Sequence, residues 1–305
     1  MQIQITEKTS PRRFLIVDGH AYAYRAFYAI RHLNSPNGKA TNAIYGFIKM
    51  LMKMQAQLQP SYLMIVWDGG LAEERMVLLP EYKAQRGEMP SDLEQQLDEI
   101  TSYLRAASIT SFCQTGFEAD DFIATFAKKS VAMGVPVVIA SADKDFMQLV
   151  SPQVSLLNPN DKSELLWGEE KVREKTGVAP AQIVDWLSLI GDSVDNIPGV
   201  SGVGPKTATD LLKQFGTLEE IYRRIDEVKS DRLRANLKAA GETVQRNKKL
   251  IRLHDELPCD FQLENFTTRS GKFEELRDLF GGWGFKTLLH ELEKAQVRQT
   301  DLFGG

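Results

Sequence analysis

Two acidic clusters joined by one helix and one apolar run, residues 116–145, constrain this chain more than any other stretch. Glu118-Ala119-Asp120-Asp121 opens it and Asp143-Lys144-Asp145 closes it. Ala119, Phe122, Ile123 and Phe126 recur at helical spacing, so the acidic turn begins an amphipathic helix with one buried face. Residues 135–140, Val-Pro-Val-Val-Ile-Ala, read as a buried strand. A strand alternating with helices implies a parallel sheet. The second cluster then sits at the carboxyl end of that strand, where open α/β sheets hold ligands. Either cluster alone is ordinary. Acids in a first turn complement the helix dipole, and Asp after a strand is a common cap. Together they gather five carboxylates, which stay ionised side by side only around a cation. Oxygen donors without thiolate point to Mg²⁺ or Mn²⁺.

The same ending recurs. The apolar run 14–17 ends in Asp18-Gly19-His20, and the run 62–67 ends in Asp68. Three strands that each end in aspartate, with Glu118 and Asp121 one helical turn apart, place an acidic pocket along one edge of a sheet. A helix after Asp18 carries Tyr24 and Arg25. Residues 41–58 form a second helix whose methionines fill core space. A long polar excursion between Asp68 and Glu118 carries Arg75 and Tyr82-Lys83-Ala84-Gln85-Arg86, then a helix over 91–107. Its aromatic and basic residues suit a single strand, with Tyr82 stacking and Lys83 and Arg86 meeting phosphates; an ordinary surface helix pair is the plainer alternative. Residues 154–157 and 164–167 flank a turn and read as a hairpin.

Residues 191–208 carry a second signature. Asp192 and Asp195 add two carboxylates. Gly199, Gly202 and Gly204 let backbone N–H groups approach an anion, with Pro205 at a first helical position and Lys206 and Thr207 behind it. Such a loop binds a nucleic-acid backbone without reading bases. It is not a P-loop, because Pro205 stands where the lysine belongs, and Thr207 breaks the dinucleotide fingerprint.

Composition bears on partners. The net charge of −4 argues against nucleic acid, but residues 229–252 hold eight basic residues against Asp231 and Glu242. A basic face beside an acidic pocket is what a metal-dependent enzyme acting on a polyanion needs. Taken alone, the segment reads as a solvated helical face. No apolar run reaches membrane-spanning length, and the polar N-terminus lacks a signal-peptide core. Cys113 and Cys259 lack metal spacing, so reduced thiols in a cytosolic protein are expected. The four histidines form no triad-like grouping.

In this order, Val17-Asp18-Gly19-His20, Tyr24-Arg25, Tyr45-Gly46-Phe47, Asp68, Arg75, Tyr82 to Arg86, the two acidic clusters and the 191–208 run resemble the 5′-nuclease superfamily. This group includes the 5′→3′ exonuclease domain of bacterial DNA polymerase I, phage 5′-exonucleases and flap endonucleases. The resemblance covers nearly the whole chain and implies an α/β fold. It would have a PIN-like parallel-sheet core over 1–180, with a helical arch over about 70–108. A helix–three-turn–helix DNA-binding subdomain over 181–295 and a flexible tail over 296–305 would follow. One metal site would draw on Asp18, Asp68, Glu118, Asp120, Asp121 and Asp143, and a second on Asp145, Asp192 and Asp195. Lys83 and Arg86 would steer the scissile phosphate. Tyr24, Arg25, Arg75 and Tyr82 would meet DNA, and Gly199, Gly202, Gly204, Lys206 and Thr207 would hold the duplex, with K⁺ in that loop. Around Arg75 the family pattern is Thr-Phe-Arg, whereas here it is Glu73-Glu74-Arg75, which weakens the case for a phosphate contact there.

The implied activity is two-metal hydrolysis of DNA at single-strand/duplex junctions, as 5′→3′ exonuclease and flap endonuclease, in replication and repair. Gln299, Leu302 and Phe303 near the end resemble a bacterial sliding-clamp pentapeptide, with apolar anchors on a polar tail. A stand-alone monomer in the bacterial cytoplasm, at the nucleoid, is expected. A non-catalytic junction binder and a PIN-type ribonuclease are the alternatives. The nine filled acidic positions disfavour the first, and the duplex-binding loop disfavours the second. Asp143→Asn should abolish cleavage of a labelled flap duplex while DNA binding, read by gel shift, stays largely intact. Loss of binding with the fold preserved contradicts the assignment.

Overall fold

The alternation of apolar runs with amphipathic helices produces the expected α/β fold in the computed structural model, which describes residues 12–303. The expectation for the polar N-terminus falls mainly on residues 1–11, outside the described ones. In chain order the first elements are β1 (Phe14–Asp18), α1 (Gly19–Ala29), α2 (Asn42–Leu58), β2 (Tyr62–Trp67), α3 (Glu73–Leu78), α4 (Ser91–Ala106) and β3 (Thr110–Cys113). Then come α5 (Ala119–Ala132), β4 (Val137–Ala140), β5 (Val154–Leu157), α6 (Glu169–Thr176), α7 (Ile183–Ile190), β6 (Gly191–Asp192) and β7 (Ile197–Pro198). The remainder is helical: α8 (Pro205–Phe215), α9 (Leu218–Arg223), α10 (Asp231–Ala239), α11 (Gly241–Ile251), α12 (Phe273–Trp283) and α13 (Lys286–Phe303). No described helix is long and apolar enough to cross a membrane.

Contacts divide the chain into two compact units that do not follow the sequence. One comprises Met1–Trp67, Met89–Phe112 and Asp260–Gly305, and the other Asp68–Glu88 and Cys113–Cys259. In the first, β1 and β2 run parallel, from Phe14 beside Tyr62 to Asp18 beside Val66, and β2 lies between β1 and β3. Every residue of β1 is buried, as a strand covered on both faces requires. Helices α1, α2 and α4 pack together, and Phe47 stacks on Trp67 at 5.9 Å. The Thr41 side chain makes no cap bond at the start of α2. Gln96 of α4 does that work, its Oε1 accepting from Ala43 N at 2.8 Å and Ile44 N at 3.3 Å. Helix α13 continues to Phe303. The side chains of Gln299, Leu302 and Phe303 lie outside the described ones.

In the second unit β4 and β5 pair in parallel from Val137 beside Val154 to Ala140 beside Leu157. The expected hairpin is present as one antiparallel bridge, in which Leu156 and Trp167 exchange both backbone hydrogen bonds at 3.0 and 2.7 Å. All four β4 residues are buried. Helices α7, α8, α9 and α11 form the apolar remainder, around Leu187, Leu211, Leu212 and Leu250.

Replacing Gln96 by methionine keeps the apolar stem but leaves two buried amides without an acceptor. A loss of about 1–3 kcal/mol in urea unfolding is expected. An unchanged midpoint shows that the cap adds nothing.

Candidate metal centre

Each strand-end aspartate spends one oxygen on a backbone amide. Asp18 Oδ1 accepts from Ala21 N at 3.0 Å and caps α1. Asp68 Oδ1 accepts from Ala119 N at 2.9 Å and so caps α5, 51 residues on in sequence. Asp143 Oδ1 accepts from Asp145 N at 2.8 Å and opens a 3₁₀ turn, Lys144–Leu149. The capping role that each residue could have on its own is therefore real, but it uses one oxygen of two. Glu118 occupies the N-cap position of α5 yet makes no cap bond, because Asp68 has taken that role. Its carboxylate is free to turn inward and is 2% exposed.

Asp145, Asp192 and Asp195 each offer an oxygen within 4.8 Å of the others, an arrangement able to hold a metal ion. Asp192 and Asp195 reach it on a tight loop between β6 and β7, which pair antiparallel. Glycine is required where this loop closes: a Cβ on Gly199 would lie 2.2 Å from Ile190 O. Gly191 also has φ +75°. Asp145 Oδ1 and Glu118 Oε1 are buried and make no hydrogen bond. Burial pushes the Asp145 carboxyl well up, and Asp143, Asp192 and Asp195 add to it. Burial raises Asp143 as well, against the lowering effect of the Asp145 amide. Orphaned oxygens in an all-carboxylate group fit a hard divalent cation.

Cations of the protein occupy part of the group. Lys83 Nζ lies 2.9 Å from Glu118 Oε2 and 4.0 Å from Asp195 Oδ2. Burial works against the Lys83 ammonium, but Glu118, Asp120 and Asp195 outweigh it and keep it charged. The Tyr82 hydroxyl donates to Glu118 Oε2 at 3.2 Å and Asp195 Oδ2 at 3.4 Å. Arg86 donates to Asp195 Oδ1 at 2.6 Å, and Lys144 Nζ meets Asp192 Oδ1 at 2.8 Å. Lys83 N also bonds Asp195 O at 3.0 Å, at a positive φ of 57°. The excursion thus folds down onto the acidic loop.

Two expectations are corrected here. Tyr82 does not offer its ring to a base; it is 3% exposed, with Lys83 Nζ 4.9 Å from the ring centroid. Arg75 is not at a DNA-facing edge either. It is buried against Glu118 and Asp121, which outweigh the cost of its desolvation and hold it charged. Asp121, expected among the metal ligands, has both oxygens engaged by Arg75. Asp18, Tyr24 and Arg25 lie in the other unit, where Tyr24 stacks on Tyr28 at 6.4 Å.

At the 191–208 run, Gly202 has φ +76°, and Asn236 pins the turn by donating to Ser201 O at 2.8 Å. Pro205 starts α8, with Lys206 exposed and Thr207 half-buried behind it. The basic segment is less basic than its composition. Arg234, Lys238 and Lys248 pair with Asp231, with Asp226, and with Asp185 and Glu219. Lys144 escaped notice as a counter-ion, although its place between Asp143 and Asp145 was the signal.

Residues 13–177 match a family model described as 5′-3′ exonuclease, N-terminal resolvase-like domain. Residues 178–274 match 5′-3′ exonuclease, C-terminal SAM fold. A 5′-3′ exonuclease of Aquifex aeolicus (strain VF5) is 37% identical, over 94% of this chain and 98% of that protein. DNA polymerase I of Bacillus caldotenax is 36% identical over 92% of this chain but 32% of its own length, so the chain spans about a third of such relatives. Among solved structures, the T5 D15 protein co-crystallised with metal ions aligns with TM-score 0.65 at 21% identity, over 94% of this chain and 99% of its own. The catalytic core of Rad2 in complex with DNA substrate aligns with TM-score 0.61 at 17% identity, over 90% and 88%. At these identities the structures share the fold.

Because Asp143 and Asp145 hold protons more tightly folded than unfolded, their contribution favours folding below the ordinary carboxylate range. It is lost as pH rises through the raised values. Asp145→Asn removes that loss without breaking a hydrogen bond at Oδ1. In chelator at neutral pH the variant should melt above wild type, and Mn²⁺ should no longer raise its Tm. For wild type the ion adds about 2.7 kcal/mol at a hundred times its Kd. An equal Mn²⁺ shift in both removes Asp145 from the ion-binding group.

Proposed function

The chain belongs to the 5′-3′ exonuclease family, and we propose that it is a metal-dependent, structure-specific 5′-nuclease that cuts DNA where a single strand meets a duplex. The observation that carries this reading is the Asp145, Asp192 and Asp195 group with its orphaned buried oxygen. A binding protein gains nothing from such a group beside a polyanion. Support for the substrate comes from the fold neighbours, which include a T5 D15 flap endonuclease complex with DNA and metal ions.

Asp145, Asp192 and Asp195 would hold one divalent ion, Mg²⁺ or Mn²⁺, with Asp143 at their edge. Asp68, Glu118 and Asp120 are the proposed donors to a second. Bound there, the ions supply charge that activates water and offsets the negative charge developing on a phosphoryl group. The protein's own share is electrostatic and positional. Lys83 and Arg86 already lie against the carboxylates and are the proposed cations for a phosphate brought to that point. The start of α8 presents backbone amides and Lys206 to a duplex phosphate, with K⁺ proposed in the 199–204 turn. Lys229, Arg232, Lys249 and Arg252 are exposed and extend this surface. Action as a monomer in the bacterial cytoplasm at the nucleoid belongs to the same reading. So does clamp docking through Gln299, Leu302 and Phe303, which rests on the sequence pattern.

A labelled 5′-flap duplex should be cut near the junction in Mg²⁺ and remain intact in EDTA. Lys83→Ala should lower the single-turnover rate by roughly 10²–10³-fold, while junction binding changes little. Tight binding without cutting in Mg²⁺ or Mn²⁺ moves the assignment to a junction-binding protein.

A further inference from the structure

We propose that Arg75 is a positioning residue for the carboxylate site and that Asp121 is its anchor, not a metal ligand. A guanidinium has five N–H groups, and in Arg75 five acceptors meet them. Nε donates to Leu250 O at 3.1 Å. Nη1 donates to Glu118 Oε2 at 2.9 Å and Asp121 Oδ2 at 2.8 Å. Nη2 donates to Asp121 Oδ1 at 2.7 Å and Arg252 O at 3.5 Å. The side chain is 2% exposed, so its place is set by these bonds and not by solvent.

The two acids are treated differently. Asp121 takes the fork with both oxygens, and its Oδ1 also accepts from His254 N at 2.9 Å. It is thus locked between α3, α5 and the segment after α11. Glu118 gives only Oε2 to Arg75, and the same oxygen also receives Tyr82 and Lys83. Three donors on one oxygen fix the carboxylate plane and leave Oε1 buried without a partner. Asp121 therefore orients Arg75, Arg75 orients Glu118, and Glu118 keeps one oxygen in reserve for a ligand. This inference rests on the metal-site reading above.

The sign of one measurement separates positioning from plain electrostatics. Removing a cation from among carboxylates should, by Coulomb's law alone, tighten binding of another cation. Loss of a positioning group should weaken it, typically by about 10–100-fold. Mn²⁺ binding to the full chain without DNA is measured by calorimetry and by paramagnetic resonance of free Mn²⁺. The variants are Arg75→Lys, Arg75→Gln, Asp121→Asn and the double Arg75→Lys/Asp121→Asn, with melting in chelator as the check on folding.

Arg75→Lys keeps the charge and loses the fork, so it should bind about 10–100-fold more weakly with the same number of ions. Asp121→Asn should do likewise, and the double variant should be no worse than the weaker single. If Arg75→Gln fails to fold, Arg75→Lys and Asp121→Asn decide the matter. Lowered melting with wild-type Mn²⁺ affinity means a purely structural arginine and overturns the proposal. So does loss of a whole ion in Asp121→Asn, or tighter binding in Arg75→Gln. No Mn²⁺ uptake by wild type instead overturns the metal-site reading itself, and this inference with it.

Discussion

Crowded carboxylates in a space with little water dictate the layout of the second unit. Each buried acid must find a donor, a cation or a proton, since an isolated buried charge is too costly to keep. The structure uses all three. Asp68 and Asp143 each accept a backbone amide, Glu118, Asp121, Asp192 and Asp195 hold lysine or arginine, and Asp143 and Asp145 are pushed toward the protonated form. The folding-down of Tyr82, Lys83 and Arg86 onto the 192–196 loop follows from the same need. So does the burial of Arg75.

Removing one partner of a buried pair commonly costs about 3–5 kcal/mol, because the other charge is left uncompensated. The cations therefore belong to the stability of this unit as much as to its chemistry. Arg86 stands apart, with a side chain 44% exposed against 8% for its partner Asp195. It is the member of the group most easily released to solvent.

The acidic half of the site was legible in sequence because it follows local rules. An aspartate that follows a buried apolar run is visible from that run, as at Asp68 and Asp143. Asp192 and Asp195 were visible from the glycines that close their loop. What the sequence hid was pairing over distance. Arg75 meets Asp121 across 46 positions and Leu250 across 175. Gln96 caps a helix 53 positions earlier. Lys248 reaches Asp185 rather than solvent. No periodicity announces such partners, since each depends on where helices pack. The same limit hid the parallel pairing of β5 with β4.

Asn247 carries a consequence of its own. From within α11 it donates to Ser188 O at 3.1 Å and Pro198 O at 2.7 Å, joining the last turns of α7 to the strand that leaves the acidic loop. Gly199, pressed against Ile190, follows immediately, and the turn into α8 begins there. The carboxylates and the start of α8 are thus fastened to one short, stiff piece of backbone. In the nuclease reading proposed above, a strand held at the start of α8 would meet the acids at a span set by this piece of backbone, as along a ruler. Under the proposed nuclease activity, the place of cutting would then be gauged by length rather than by base sequence.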